Sequence, residues 1–253
     1  PREAITAIGL GIDLIISDHH YPKGDLPKAH AVICQKREND EYPYKDLAGV
    51  GVAFKIAQGL FTGLDKNPRK ADNWLDLVAL GTIADMVPLT GENRQLVRKG
   101  LHRLRLGQRQ GVLSLANAAG LELGTLNAGD VGFTLAPRLN AAGRLDTAIA
   151  AYNLLASREV METGKLAQVL DDQNRERQKQ TKEMQAQAEK LLMECEEEFV
   201  LFALDKGFNS GVVGLVAARL TERYHRPAIV GTWMDGDIRA SCRSIAEFHI
   251  TQA

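Results

Sequence analysis

An uninterrupted run of helix-forming residues from Arg158 to Cys195, with no proline and the single glycine Gly164, constrains this chain more than any other feature. Glu, Gln, Lys, Arg, Ala, Leu and Met dominate the run, and all are good helix formers. Its centre, 171–183 (DDQNRERQKQTKE), contains no apolar residue. A helix that is polar all round has no stripe to bury, and such helices often bridge two domains through solvent. The expected organisation is therefore a domain over 1–157, a connecting helix over 158–195 and a smaller domain over 196–253. The 253 residues suit one large domain or two modest ones.

Both flanks alternate strands with helices. Before the long helix, Ile12–Ile16 is rich in β-branched residues and reads as a buried strand, followed by a loop through Ser17, Asp18, His19 and His20. Ala31–Cys34 reads as a second strand. The stretches 47–60 (LAGVGVAFKIAQGL) and 73–83 (NWLDLVALGTI) read as helices, and the early glycines of the first allow close packing. After the long helix, 199–204, 227–231 and 238–245 read as strands, with a helix over 211–224. The fold class is thus α/β: a mostly parallel sheet in the first domain, a long connecting helix and a smaller, truncated α/β domain.

Hydrophobic residues make up 45% and charged residues 25%, with a formal net charge of -1. There is no global basic field, so any nucleic-acid site has to be local. One local candidate is the helix 92–106, where Arg94, Arg98, His102 and Arg105 share a face. Both a solvated face and a phosphate-tracking stripe fit it. Cys34, Cys195 and Cys242 are far apart and form no CxxC pair, so a reducing cytoplasm is expected. No apolar run approaches a membrane span, and no secretory signal opens the chain. The start at Pro1 and the stop at Ala253 suggest that both ends are cut.

Four groups of residues can do chemistry. Asp18-His19-His20 follows a strand, at the sheet edge where ligands collect in open α/β folds. Carboxylate with imidazole suits a transition metal, and Mn²⁺ where oxygen ligands dominate. Adjacent side chains cannot all face one ion, so one His would ligate while the others orient it or touch a substrate phosphate. A hydrogen-bonded turn would use the same residues. Asp85 ends the second apolar helix, where a carboxylate needs a metal, an ion pair or a capping role. Arg138, Asn140 and Arg144 lie in a small-residue turn (PRLNAAGR, 137–144), and arginine forks match phosphate oxygens. An ordinary loop is the alternative there. Ser241, Arg243 and Ser244 could hold a terminal phosphate, or could be the polar positions of a half-exposed strand.

Taken in order, IISDHH (15–20), LAGVGVAFK (47–55), ALGTIADMVPLTGENR (79–94), PRLNAAGR (137–144), SGVVGLVAARL (210–220) and CRSI (242–245) resemble the DHH phosphoesterase superfamily. Within it, the LAGVGVAFK and NAAGR segments resemble the single-strand-specific 5′→3′ DNA exonucleases rather than the small pyrophosphatases. The resemblance implies a partial DHH domain over 1–157 and a partial DHH-associated domain over 196–253. It implies two divalent ions, Mn²⁺ or Mg²⁺, in the intact site. His19 and Asp85 would be metal ligands and catalytic, with Asp18 and His20 beside them. Arg138, Asn140 and Arg144 would bind the strand near the scissile bond, and Ser241, Arg243 and Ser244 would bind its 5′ end. The implied partner is single-stranded DNA, with no membrane and a monomeric enzyme serving repair and recombination. The implied chemistry is metal-assisted hydrolysis.

The chain also departs from the family. The aspartate-rich motifs that precede the DHH strand are absent, so this piece is expected to be incomplete for catalysis. The oligonucleotide-binding fold that follows is absent too. Ala240-Ser241-Cys242 replaces a glycine-rich lead, and Cys34-Gln35 replaces an Asn-Pro. Other readings are a DHH phosphodiesterase of short oligonucleotides or cyclic dinucleotides, and a non-catalytic module that binds single strands.

Overall fold

The computed structural model describes residues 2–145, 147–193 and 199–252. Contacts divide the chain into two compact units. One is Pro1–Pro137 with Leu154–Gly164, the other Arg138–Asn153 with Lys165–Ala253.

In the first unit, helix α1 (Arg2–Gly9) leads to strands β1 (Ile15–Ser17) and β2 (Ala31–Ile33), which pair in parallel with Ile16 opposite Val32. β1 is shorter than the expected strand, and it is not buried: Ile15 is 60% exposed. Among the described residues it pairs with β2 alone, so a run of β-branched residues that would suit a sheet interior lies open here. Helices α2 (Gly49–Gly63), α3 (Leu75–Ala84) and α4 (Gly91–Arg105) follow, with a 3₁₀ stretch over Pro68–Trp74. Leu47, Val52, Phe54, Ala71, Leu75, Val78 and Leu96 form a core among them. Helix α3 is mostly apolar with no single apolar stripe, and most of its residues are buried, Asp76 and Thr82 among them.

Gly100 of α4 lies against α3, and a Cβ there would run into the Leu75 carbonyl oxygen and the Ala79 side chain. Backbone is what it would strike, so a side chain cannot swing clear. Gly100→Ala is expected to destabilise this unit by about 1–3 kcal/mol. Its midpoint in thermal unfolding should fall by several degrees (~2–4 °C per kcal/mol). An unchanged midpoint would mean that α3 and α4 are not packed this closely. The face of α4 that carries Arg94, Arg98, His102 and Arg105 is exposed, and Arg105 Nε donates to the Leu126 carbonyl at 2.8 Å.

Helix α5 (Gln110–Ala118) was not expected from sequence, nor was the helical character of the segment after it. Helix α6 (Ala128–Asp130) runs through a π turn (Val131–Leu135) into α7 (Ala136–Leu145). The PRLNAAGR segment, expected as a turn, is therefore helix. Alanine, leucine and arginine favour helix, and the widened turn accommodates Pro137, which lacks an N–H and would crowd the carbonyl four residues back. Helix α8 (Ile149–Ala156) follows.

Helix α9 (Val160–Met193) is the expected long helix; its expected end at Cys195 lies outside the described residues. Its centre is not polar all round in effect. Asp171, Asn174 and Thr181 are buried; Thr163, Ala167, Leu170, Asn174, the half-buried position 177, Thr181, Met184 and Ala188 follow a repeat of alternating fours and threes, with Asp171 beside it. That repeat is the seam of a packed helix rather than of a solvated rod.

The second unit builds on the end of α9. Strands β3 (Leu201–Leu204), β4 (Ala228–Met234) and β5 (Asp237–Arg243) lie in that order, with β3 parallel and β5 antiparallel to β4. Helix α10 (Val213–Tyr224) packs Val213, Val216, Ala217 and Leu220 onto Leu201, Ala203, Ala228 and Val230, with Met184 and Ala188 of α9 in the same core. Val160–Met193 included, no helix among the described residues is long and apolar enough to cross a membrane.

Candidate metal centre and phosphate-facing residues

The loop after β1 is pinned from two sides. The Asp18 N–H donates to the Ile33 carbonyl at 3.0 Å, and Cys34 Sγ donates to the His20 carbonyl at 3.3 Å. Asp18, His19 and His20 thus leave the C-terminal end of a parallel pair. Their ligand atoms lie within 4.8 Å of one another. They do not play equal parts. The His19 side chain is 17% exposed, and its Nδ1 lies 3.5 Å from Asp85 Oδ2. The His20 side chain is 73% exposed and turns to Asp18, with Nδ1 2.7 Å from Oδ1.

Asp18 Oδ1 also accepts the backbone N–H groups of His19 (2.6 Å) and His20 (3.2 Å). Burial pushes this carboxyl upward in pKa, but the hydrogen bonds from the His20 ring and the two backbone N–H groups outweigh it. The net effect holds Asp18 below the usual aspartate value, as the carboxylate.

Asp85 comes from another element. It is the C-cap of α3, and its N–H closes the helix on the Gly81 carbonyl. The next residue, Met86, takes the left-handed conformation (φ 59°) and turns the chain away. Gly49, at the start of α2, gives His19 its place: a Cβ there would lie 3.3 Å from His19 Cδ2. Sequence reading singled out the glycines of that helix for close packing but did not name the imidazole as what they pack on.

Two imidazoles and two carboxylates suit a divalent transition ion better than an all-oxygen cation site. His19 is the less exposed of the two imidazoles and the one that meets a carboxylate from another element, so it fits the role of ligand with Asp85. Asp18 and His20, bonded to each other, fit the role of an orienting pair. Four such residues are too few to enclose two ions.

The remaining predicted residues lie in the second unit. Arg138 Nε pairs with the buried carboxylate of Asp171 at 2.9 Å. Arg144 Nη1 donates to the Gly211 carbonyl at 3.3 Å, and Asn140 is exposed. Ser241 and Arg243 both face Gly214 of α10, where a Cβ would lie 3.2 Å from Ser241 Oγ and 3.5 Å from Arg243 Nη2. Arg243 Nη1 donates to the Cys242 carbonyl (2.7 Å) and Ser244 Oγ to the Phe248 carbonyl (2.5 Å). The structure thus brings Ser241 and Arg243 together beside the SGVVG segment. Ser244 is drawn into a local turn instead.

Residues 2–82 match the model of the DHH family, N-terminal domain. The whole chain is 43% identical to the single-stranded-DNA-specific exonuclease RecJ of Bacillus subtilis over 256 residues, covering 32% of that protein. Among solved structures, RecJ from Thermus thermophilus in complex with Mn²⁺ superposes with a TM-score of 0.83 at 33% identity, covering 97% of this chain and 36% of that one. An exonuclease RecJ bound to manganese gives 0.81 at 32% identity, covering 99% of this chain and 62% of that one. The chain therefore spans about a third of its Bacillus subtilis relative and up to 62% of these solved chains.

Proposed function

We propose that this chain, which belongs to the DHH family, is part of the catalytic core of a metal-dependent exonuclease that degrades single-stranded DNA from its 5′ end. The observation that carries this reading is His19, held between Gly49 and Asp85 at the end of β1, inside the segment that matches the family. The RecJ relatives are named as single-stranded-DNA-specific exonucleases, and two solved RecJ structures are described with manganese.

In this reading His19 and Asp85 hold a divalent ion, Mn²⁺ or Mg²⁺. Asp18, kept ionised, fixes the His20 ring. When bound, the ion supplies Lewis-acid charge at the scissile phosphate. Arg138, Asn140 and Arg144 bind the strand. Residues 1–157 are the partial DHH domain, 158–195 the connecting helix and 196–253 the partial DHH-associated domain. The parent enzyme works as a cytoplasmic monomer in repair and recombination. Sequence tolerance comes from backbone charge contacts rather than base readout.

The test is made on the full-length protein with a labelled single strand. With Mn²⁺ or Mg²⁺ present, mononucleotides should be released from the 5′ end, and chelation with EDTA should stop the release. Absence of cleavage with either metal would sink the reading. Cleavage confined to dinucleotides or cyclic dinucleotides would replace it with a small-substrate phosphodiesterase. Binding of single strands without cleavage would leave a binding module.

A further inference from the structure

Helix α9 carries an arginine that no role above uses. Arg177 occupies a position of the buried seam, three residues after buried Asn174 and four before buried Thr181. Its Nε is buried and makes no hydrogen bond among the described residues, and no described carboxylate pairs with its guanidinium. Beside it, Gln173 Oε1 and Asn174 Oδ1 are also buried without a partner among the described residues. Side-chain amides turn readily about their last torsion, so either can present its NH₂ to an acceptor.

The charges that Arg177 feels are cations. Burial lowers its pKa first, and Arg144, Arg219 and Arg138 lower it further. Of these, Arg138 has its own anion in Asp171, which Arg175 also meets at 2.7 Å. Among the described residues, Arg144 and Arg219 reach neutral oxygens: the Gly211 carbonyl and Gln185 Oε1, each at 3.3 Å. Hydrogen bonds place both along α9 within the second unit: Arg219 bonds Gln185 directly, and the Gly211 that Arg144 reaches donates its N–H to Asn209, whose amide donates to Gln180 of α9 at 3.1 Å. Three guanidinium groups thus lie along one stretch of the helix, and no described carboxylate pairs with Arg177, Arg144 or Arg219. A desolvated charge without a partner is costly, and like charges add to the cost. A tetrahedral oxyanion reverses both effects, because its oxygens match the planar fork of each arginine.

We propose that Arg177 of α9, with Arg144 and Arg219, holds one phosphate group of the substrate strand. The phosphate chemistry follows from the arginine cluster; its source, an internucleotide phosphate, rests on the nuclease reading. Free inorganic phosphate has the same chemistry, and the test separates the two.

The experiment uses the full-length protein in EDTA, so that DNA is bound and not cut. Binding of a fluorescent oligothymidylate is followed across a salt series for the native protein, Arg177→Gln and Arg177→Lys. Arg177→Gln should bind about tenfold more weakly, and its log-log salt slope should be shallower by about 0.7, the value for one phosphate contact on a single strand. Arg177→Lys should fall between, keeping the charge without the fork. Without ligand, Arg177→Gln should melt no lower than the native protein, since it removes an unpaired charge. Inorganic phosphate at fixed ionic strength should raise the melting temperature of the native protein and not that of Arg177→Gln. Equal affinity and salt slope together with an equal phosphate response would overturn the site. So would a lower ligand-free melting temperature for Arg177→Gln, which would mean that the guanidinium already has its partner within the protein. A native phosphate response that Arg177→Gln loses, with no binding of DNA by either, would keep the anion site and sink the nuclease reading.

Discussion

Asp76→Ala should cost this protein about 3–5 kcal/mol of stability, enough to unfold its first unit or bring it to the edge of unfolding. Asp76 sits in the first turn of the apolar helix α3 and is itself buried. Both its oxygens are engaged by Arg109, with Nε at 2.6 Å from Oδ2 and Nη2 at 3.2 Å from Oδ1. The same guanidinium donates Nη1 to the Leu155 carbonyl at 3.1 Å. One arginine thus ties α3 to the end of α8 from the residue that precedes α5. Beside it, Gly111 lies so close to the Leu154 carbonyl that a Cβ would collide with it. Taking away the carboxylate leaves the arginine largely desolvated and unpaired, and that loss is larger than the net worth of the pair. Denaturant unfolding should show the full loss for Asp76→Ala, with much of it recovered when Arg109→Met is added. A loss below about 1 kcal/mol for the single change would mean that the pair behaves as an exposed one.

His19→Ala in the full-length protein should reduce metal-dependent cleavage about a thousandfold, whereas His20→Ala should cost about 10–100-fold. The difference follows from position. His19 is largely buried and meets Asp85, while His20 is exposed and meets Asp18. Loss of a direct ligand forfeits several kcal/mol of charge stabilisation, and about 4 kcal/mol corresponds to a thousandfold in rate. Loss of an orienting partner costs less. Mn²⁺ titration followed by electron paramagnetic resonance should show weakened binding for His19→Ala and a smaller change for His20→Ala. Equal losses in the two variants would refute the unequal roles.

Long, periodic features were the ones legible in the sequence. The run of helix formers reports α9 to within a few residues, because propensity summed over many positions outweighs local context. The order strand, loop, strand around Asp18 to His20 was also readable, as was the end strand of the second unit. What misled was inference from short segments. Ile12–Ile16 has the composition of an interior strand, yet only Ile15 and Ile16 pair, and what covers a strand is not written in the strand itself. The segment around Asn140 looks like a loop by its glycine, asparagine and proline, and only the π turn before Pro137 lets it be helix. Arg177 escaped notice for a different reason. A search for apolar stripes passes over a seam whose middle positions are Asn, Arg and Thr, although the alternation of fours and threes continues straight through them.

That polar interruption has a consequence for how the long helix behaves toward other copies of itself. With apolar residues at 174, 177 and 181, the seam from Ala167 to Ala188 would be a continuous stripe of the kind that zips two helices into a coiled coil. Asn, Arg and Thr at those places break the stripe near its centre, where pairing of like with like would bring two arginines face to face. Arg177, proposed above to hold a phosphate, thus also helps to make the longest helix a poor partner for its own twin.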